Sequence, residues 1–333
     1  MKHLTTLLLV VLALSFFGCQ SNKKYDDMPK ELATLCKQID KHPKNAELYY
    51  QRADYYYFHK NIDKGIADMQ QAIKLQPDSS KYYVKLSDLY FAQHETDLAE
   101  EMLQKAISKQ KDNNEARLKL AELYFHQHML NECNTTLEEA LALQKYNPKA
   151  YLIKAFMLKE QQDTVGYLRM LQLVIDQDPK EVKAYLELGY FYQQKMDPLA
   201  ISYYENALNA DPNNVEIHYN LGKMYQDLGR IEEAEEQYKT AINLDPKHVP
   251  SLNNLGYIYL DDEVARYDDA VKLFTQAIQA NPNMAYLYCN RGLAYESLGN
   301  YAKARTDYEK SLKLHTNFEP AILGLNRLDK KQK

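Results

Sequence analysis

Small residues recur along this chain at a nearly constant interval of 34 residues, and this period restricts the fold more than any other feature. The first series of small residues is Ala53, Ser87, Ala121, Ala155, Gly189, Gly222, Gly256 and Gly292. A second series of small residues is Ala72, Ala106, Ala140, Val174, Ala207, Ala241, Ala277 and Ser311. Three positions before each member of the second series stands a large apolar residue, in the order Met69, Leu103, Leu137, Leu171, Tyr204, Tyr238, Phe274 and Tyr308. Eight copies of one unit therefore make up most of the chain.

The spacing inside each copy predicts two helices that pack against each other. In the sixth copy, Leu221, Gly222 and Tyr225 share one face of a first helix. Tyr238 and Ala241 share one face of a second helix. Two helices approach closely only where a small residue of one leaves room for a large residue of the other. The prediction is an all-α fold, and the low count of 10 Gly and 11 Pro agrees with it.

A helix–turn–helix unit of this length with these columns resembles the tetratricopeptide repeat (TPR). The resemblance implies a right-handed superhelical solenoid of about eight repeats, in which each repeat contacts only its neighbours. The predicted repeats are 46–79, 80–113, 114–147, 148–181, 182–214, 215–248, 249–284 and 285–316. Apolar stripes on either side of the array predict an N-terminal capping helix over 29–43 and a C-terminal capping helix with a basic tail over 317–333.

The N-terminal residues predict an export signal that is not part of the folded repeat array. Lys2 precedes the apolar run 7–17, which is too short to cross a bilayer but has the length of a signal-peptide core. The run ends at Gly18-Cys19, which resembles the lipobox of bacterial lipoproteins, although the two Phe residues before it depart from that pattern. The resemblance implies a signal peptide over 1–18, acylation of Cys19 and a flexible tether over 19–28. An ordinary signal peptide that is cleaved elsewhere is the alternative.

Acylation of Cys19 implies membrane attachment without a spanning helix, because two or three acyl chains hold firmly where one holds only marginally. The expected location is the bacterial cell envelope, with the outer membrane as the expected site and its periplasmic or surface face left open. The triplet at 163–165 also resembles the O-glycosylation acceptor of Bacteroidota, with Thr164 as the candidate modified residue. The chain is therefore expected to be a lipoprotein of the Bacteroidota type.

No pattern of an active site stands out in the sequence. A Gly-rich phosphate loop, a paired-His helix motif and Cys-x-x-Cys are all missing from it. His126, His128 and Cys133 fall close together as metal ligands would, but Cys133 fills a small position of a second helix, which favours packing. The mild net charge of −5 does not favour nucleic acid. We expect no enzyme activity, no cofactor, no metal and no nucleic-acid partner.

In TPR arrays the first helices line an inner groove, so the resemblance places a partner site on their solvent-facing positions. In the second half of the chain these positions are Tyr190, Tyr219, Asn220, Lys223, Asn253, Asn254, Tyr257, Tyr286 and Asn290. In the first half they are Tyr50, Tyr57, Phe58, Phe91, Phe125 and Phe156. Exposed aromatic residues on a groove are typical of binding sites. Burial of the rings under neighbouring helices is the alternative.

Asn220, Asn254 and Asn290 occupy the same position of three successive repeats. An Asn side chain both donates and accepts, so the three predict a ladder that pairs with the backbone of an extended peptide. A soluble residue without a binding role is the alternative at this position. The predicted function is a membrane-anchored scaffold or adaptor for protein or peptide partners, resembling pilus pilotins and outer-membrane assembly lipoproteins. A glycan-binding or accessory subunit of an envelope enzyme complex is the alternative function.

Overall fold

The computed structural model describes residues 25–331, and eighteen α-helices occupy that range, which confirms the all-α prediction. The contacts divide the chain into two units, one ending at Gln161 and the other beginning at Gln162. Within the described residues, no helix is both long enough and apolar enough to cross a membrane. Cys19 and the predicted signal peptide over 1–18 lie outside the described residues.

The first unit consists of a leading helix followed by helix pairs. Its helices are α1 Lys30–Lys41, α2 Ala46–Phe58, α3 Ile62–Leu75, α4 Ser80–Ala92, α5 Thr96–Lys109, α6 Asn114–His126, α7 Leu130–Leu143 and α8 Pro148–Glu160. The two helices of each pair pack together, as in α2 with α3 and α4 with α5. Each second helix also packs on the first helix of the next pair, which joins the pairs into one stack.

The second unit repeats this arrangement and ends with a single helix. Its helices are α9 Thr164–Gln177, α10 Val182–Gln193, α11 Leu199–Ala210, α12 Val215–Asp227, α13 Ile231–Leu244, α14 Val249–Tyr259, α15 Tyr267–Ala280, α16 Ala285–Ser297, α17 Tyr301–Leu314 and α18 Glu319–Lys331. In this unit α10, α12, α14 and α16 are first helices of their pairs, and α18 packs on α17 and α16.

Local signals explain where the helices begin and turn. Asn45, Asn113 and Asn214 precede first helices, and the side-chain oxygen of each accepts a hydrogen bond from a backbone N–H of the first turn. This cap satisfies a donor that has no partner within the helix. Between the two helices of every repeat, one residue has a positive φ, and only Gly229 and Gly299 are glycines there. The turn therefore forms with ordinary side chains in the other repeats, at the cost of a left-handed backbone conformation.

Four tyrosines of the described residues have a structural role at the start of a first helix. At the fourth position of the helix, the Tyr hydroxyl donates to a backbone carbonyl six residues earlier. The bonds are Tyr49 to Pro43 at 3.1 Å, Tyr83 to Pro77 at 2.9 Å, Tyr151 to Lys145 at 3.1 Å and Tyr288 to Pro282 at 3.1 Å. Each bond fixes the connection that enters the helix, because the carbonyl belongs to the turn before it.

The size of the small residue in each first helix matches the residue that packs on it. In the second unit the rings of Tyr204, Tyr238, Phe274 and Tyr308 lie directly on Gly189, Gly222, Gly256 and Gly292. A Cβ at Gly222 would lie 2.9 Å from two carbons of the Tyr238 ring, which leaves no room for alanine. At the corresponding positions the first unit has Ala53, Ser87 and Ala121 against the narrower buried side chains Met69, Leu103 and Leu137.

Two buried ion pairs tie the two helices of a repeat together at the same register. Arg52 in α2 forms a two-bond contact with Asp68 in α3, with both distances 2.7 Å. Arg291 in α16 contacts Asp307 in α17 in the same way, at 2.7 and 2.8 Å. Both Asp side chains are almost fully buried, so each arginine neutralises a charge that has left water.

Tyr25, which precedes the first helix, packs against that helix. The predicted tether over 19–28 includes Tyr25, but Tyr25 is only 6% exposed and packs against Ala33 and Cys36 of α1. Its hydroxyl contacts Asp40, near the end of the same helix. Tyr25 packs there because an aromatic ring in a polar segment can still contact an apolar face of the helix that follows it.

Candidate partner-binding groove

The first-helix face of the second unit, meaning the outward positions of α10, α12, α14 and α16, carries the predicted groove residues. Tyr190 in α10 is 53% exposed and Tyr257 in α14 is 57% exposed. Half-buried positions on the same helices are Tyr219, Asn220, Lys223, Asn253, Asn254, Tyr286 and Asn290. The rings of Tyr190 and Tyr257 are therefore exposed to solvent, and the other seven side chains are exposed only in part.

Asn253, Asn254 and Asn290 are connected by hydrogen bonds, so they are not three equivalent positions of a ladder. Asn290 donates to the Asn253 carbonyl oxygen at 2.9 Å, and Asn253 donates to Asn254 at 3.2 Å. Asn254 in turn donates to the Tyr238 hydroxyl at 3.1 Å, and that hydroxyl donates to Gln226 at 2.8 Å. The bond between Asn290 and Asn253 joins two successive repeats and orders the amides of both.

Asn254, at the position that it shares with Asn220 and Asn290, contacts the second helix of the preceding repeat. Asn254 sits on Tyr238 of α13, and Gly324, which occupies the equivalent position in α18, packs on the Tyr308 ring of α17. Because Phe274 has no hydroxyl, Asn290 cannot make the bond that Asn254 makes, and it bonds to Asn253 instead. The column is therefore partly a packing position between repeats.

The hydroxyls of the second-helix tyrosines end near the C-terminus of the first helix and meet a polar partner there. Tyr204 donates to Gln193, Tyr238 to Gln226 and Tyr308 to Glu296, each at 2.8 Å. In the seventh repeat the tyrosine is replaced by Phe274, and the partner position holds Leu260. The two positions change together because a buried amide without a hydroxyl partner would leave a polar group unsatisfied.

The environment of Glu296 combines burial with several donors. Its side chain is 6% exposed, and it accepts from Tyr308, from Arg327 and from Lys331 at 3.3 Å. Burial opposes ionisation of Glu296, but the hydrogen bonds from Arg327 and Tyr308 outweigh it and lower the pKa of Glu296. Burial, assisted by the bond to Glu296, raises the pKa of Tyr308. The carboxylate is therefore ionised and the phenol neutral across the physiological range.

The remaining predicted residues have local partners. The Tyr219 ring meets the His248 ring edge to face, with 5.4 Å between the centroids. Lys223 forms a salt bridge with Asp227 at 2.9 Å on the same helix. Burial, and after it the nearby Tyr219, raises the pKa of Tyr286, whose hydroxyl donates to the Met284 sulfur at 3.1 Å. These contacts hold the side chains in place on the first-helix face.

A cleft of about 590 Å³ lies at the C-terminal end of this face and includes residues that the sequence did not indicate. The cleft is lined by Tyr257, Cys289, Asn290, Leu293, Tyr308, Glu319, Pro320, Leu323 and Arg327. Leu293 follows Gly292 as Tyr257 follows Gly256, so the same register would have identified it. Leu323 and Arg327 belong to α18, whose prediction as a capping helix gave no reason to include it in the groove.

The aromatic residues of the first unit are covered to different degrees. Phe58 is 75% exposed and Phe91 is 46% exposed, while Tyr50, Tyr57, Phe125 and Phe156 are half-buried. The Lys85 ammonium lies 4.6 Å from the centre of the Tyr57 ring, and the Lys81 ammonium lies 5.0 Å from that of Tyr50. The rings of Tyr57 and Tyr50 are thus engaged by cations of the next repeat.

The group around Cys133 has the packing role that the sequence favoured. Cys133 is fully buried, and burial raises the pKa of its thiol to about 11, which disfavours the thiolate that a metal requires. His128 is exposed and bonds to Glu160 at 2.6 Å. Within residues 25–331, no group of three or more His, Cys, Asp or Glu side chains is placed to hold a metal ion. Thr164 is exposed at the first position of α9.

Four tetratricopeptide repeat models match the sequence. The matched residues are 46–79, 90–155, 199–255, 251–285 and 285–318. Curated relatives match over shorter segments. The rice protein SGT1 homolog (Oryza sativa subsp. japonica) is 39% identical over 64 residues, which are 19% of this chain and 17% of that protein. The barley (Hordeum vulgare) probable UDP-N-acetylglucosamine–peptide N-acetylglucosaminyltransferase SPINDLY is 26% identical over 163 residues, which are 47% of this chain and 17% of that protein.

The chain spans less than a fifth of the length of these two relatives, so their activities are properties of those proteins. Among solved structures, the crystal structure of PilW, a widely conserved type IV pilus biogenesis factor, aligns with a TM-score of 0.50. It is 16% identical and covers 64% of this chain and 98% of PilW, which shows a shared fold. The repeat models together match more than half of the residues, and the chain belongs to the tetratricopeptide repeat family.

Proposed function

We propose that this protein is a membrane-anchored scaffold or adaptor of the bacterial cell envelope that binds protein partners on the first-helix face of its second unit. Tetratricopeptide repeat proteins generally bind other proteins, and this chain has their repeat. The partner contributes an extended peptide segment, and neither a cofactor nor a nucleic acid takes part. The N-terminal lipid on Cys19 holds the protein at the membrane, with the outer membrane as the proposed location.

One observation carries the proposal: exposed aromatic rings and ordered amides lie on the same face. Tyr190 and Tyr257 are each more than half exposed, although burial of an aromatic ring normally stabilises a protein. Tyrosine is enriched at protein interfaces because its ring buries a large area while its hydroxyl still finds a partner. A partner segment that covers these rings would release their hydration and meet the amides beside them.

Not every Asn side chain on this face is equally available to a bound peptide backbone. Asn254 donates to the Tyr238 hydroxyl and accepts from Asn253, so it positions the Asn253 side chain. The Asn290 carbonyl and the half-buried Asn220 side chain form no hydrogen bond among the described residues. They are therefore the groups that accept from, or donate to, the backbone of a bound segment.

Photo-cross-linking in intact cells tests the site directly. A photoreactive amino acid replaces Tyr190 or Tyr257, and the matched control replaces Tyr146, which is 71% exposed but lies in the first unit. We expect discrete protein adducts from Tyr190 and Tyr257 and none of the same mass from Tyr146. Equal adducts from all three positions would contradict the proposal. Retention of the purified protein on glycan columns without protein adducts would instead support the glycan-binding alternative.

The anchoring and modification are tested separately from partner binding. With Cys19→Ser we expect the protein to leave the membrane fraction, because the acyl chains need the sulfur and the new amino group. A variant that stays in membranes after a high-salt wash would show a different anchor. The triplet with Thr164 is accessible, since Val165 is 80% exposed. Intact-mass measurement of the wild type and Thr164→Ala then reports whether a glycan is attached there.

A further inference from the structure

The cleft at the C-terminal end of the first-helix face has an apolar wall that faces solvent. Tyr257 in α14 is 57% exposed and Leu323 in α18 is 51% exposed, and Leu293 of α16 lies half-buried between them in the lining. Cys289 and the fully buried Tyr308 line the same cleft from below, and both are inside the core. These residues of α14, α16 and α18 thus border a recess of about 590 Å³, enough for one large side chain.

The Arg327 guanidinium lines this cleft and uses only some of its N–H donors within the protein. The Arg327 Nε and Nη2 atoms donate to Glu296, and Nη2 is also 3.3 Å from the Tyr308 hydroxyl. Among the described residues, Nη1 of Arg327 makes no hydrogen bond, and 46% of the side chain is exposed. A guanidinium that is already fixed on one edge loses little freedom when its other edge binds a carboxylate.

The charge around Arg327 is positive after its internal partner is counted. Glu296 lies against two cations, Arg327 and Lys331, so this cluster carries one net positive charge. The same sign extends over the end of the chain. Residues 285–331 contain eight Lys and Arg against five Asp and Glu, a net charge of +3. Residues 25–284 contain 29 Lys and Arg against 41 Asp and Glu, a net charge of −12.

We propose that this cleft binds an acidic peptide segment in which a large apolar side chain enters between Tyr257, Leu293 and Leu323 and a neighbouring carboxylate pairs with Arg327. The inference rests on the proposed function, because it specifies the chemistry of the peptide partner. The contrast between the two net charges favours docking of an acidic segment at this end of the chain and disfavours it elsewhere.

Glu319 gives the bound segment a direction. It lines the cleft at the first residue of α18, eight positions before Arg327, which corresponds to about 12 Å along a helix. An extended peptide rises about 3.3 Å per residue, so roughly four residues separate its contacts with the two ends. Glu319 repels a carboxylate, so the acidic residue lies at the Arg327 end and the Glu319 end accepts a neutral or basic residue.

A phage-displayed library of random 12-residue peptides, selected on the full-length protein in detergent, tests this inference. We expect the enriched peptides to contain a large apolar residue with Asp or Glu within about four positions of it on one fixed side. A synthetic peptide of the enriched sequence is then titrated by fluorescence anisotropy. Its affinity should fall about tenfold with Arg327→Gln or Leu323→Ala, and salt should weaken it. Lys331→Gln, which removes a cation that also bonds Glu296 but does not line the cleft, should change it less than about twofold.

A second measurement leaves the protein unchanged, so a folding defect of the variants cannot imitate it. Replacing the acidic residue of the peptide by Asn or Gln should weaken binding to the wild type about as much as Arg327→Gln does, and it should add no further loss in that variant. Enriched peptides without an acidic residue, or binding that is insensitive to Arg327 and Leu323, would overturn the inference and leave the proposed function standing. Failure to enrich any peptide would count against the proposed function itself.

Discussion

Replacing Gly222 by Ala is expected to destabilise the protein by about 1 kcal/mol, although alanine is the better helix former. The added Cβ would lie 2.9 Å from two ring carbons of Tyr238 and 3.3 Å from the Gln237 Cβ. Tyr238 is fully buried, so its ring cannot swing into solvent to make room. Overpacking of this kind costs about 1–3 kcal/mol, and the higher helix propensity of alanine returns about 1 kcal/mol.

With a narrower side chain than tyrosine at position 238, Gly222→Ala should no longer destabilise the protein. The third repeat already combines Ala121 with Leu137 at these two positions. Tyr238→Leu alone removes a buried ring and the hydrogen bonds to Gln226 and Asn254, which together cost about 2–4 kcal/mol. In the double variant, Gly222→Ala fills part of the space that the ring has left. We expect the double variant to be more stable than the sum of the single changes by about 1–2 kcal/mol.

Equilibrium urea unfolding, followed by circular dichroism, measures the four proteins of this double-mutant cycle. Gly229→Ala is the matched control, because a Cβ there meets nothing within 4 Å and only the positive φ of 75° opposes it. Its effect should add to that of Tyr238→Leu within about 0.5 kcal/mol. If Gly222→Ala and Tyr238→Leu are equally additive, the size match between the small residue and the ring does not control the stability of the repeat.

Three further predictions concern buried charges and thiols. Asp307→Ala leaves Arg291 without its carboxylate partner and should cost about 2–3 kcal/mol in urea unfolding. This is less than the usual cost of about 3–5 kcal/mol, because 19% of the Arg291 side chain is exposed. A cost near zero would contradict a structural role of the pair. Burial raises the pKa of both Cys133 and Cys289 to about 11, so a thiol reagent at pH 8 should label them only after unfolding. The two buried, protonated thiols contribute fully to the free energy of unfolding below the unfolded pKa of about 8.5. This contribution is lost as the pH rises towards 11, so the protein should become less stable between these two pH values. The pKa of Glu296 is lower in the folded protein than in the unfolded chain. Its carboxylate therefore stabilises the folded state above the unfolded pKa of about 4.3, and this stabilisation is lost as the pH falls through the lower folded pKa. Glu296→Gln should therefore flatten the acid limb of a stability–pH curve, and an unchanged limb would contradict this assignment.

The sequence determined the features that depend on spacing within one repeat. A small residue and a large residue at fixed helical intervals define two packed helices wherever they recur, so the all-α fold and the repeat were readable without coordinates. The same logic placed Cys133 in a packing position, since it stands where alanine stands in other copies. The register of Gly256 and Gly292 would also have identified Leu293, if the position after each glycine had been followed through all repeats.

Only the tertiary structure decided which side chains meet across repeats. Asn290 and Asn253 are separated by 37 positions, and their hydrogen bond depends on how closely α14 and α16 approach. The packing of Gly324 under Tyr308 likewise depends on how α18 docks, and this docking brings Leu323 and Arg327 to the cleft. The physical reason is that periodicity specifies the face of each helix but not the distance and angle between helices, and hydrogen bonds and clefts depend on both.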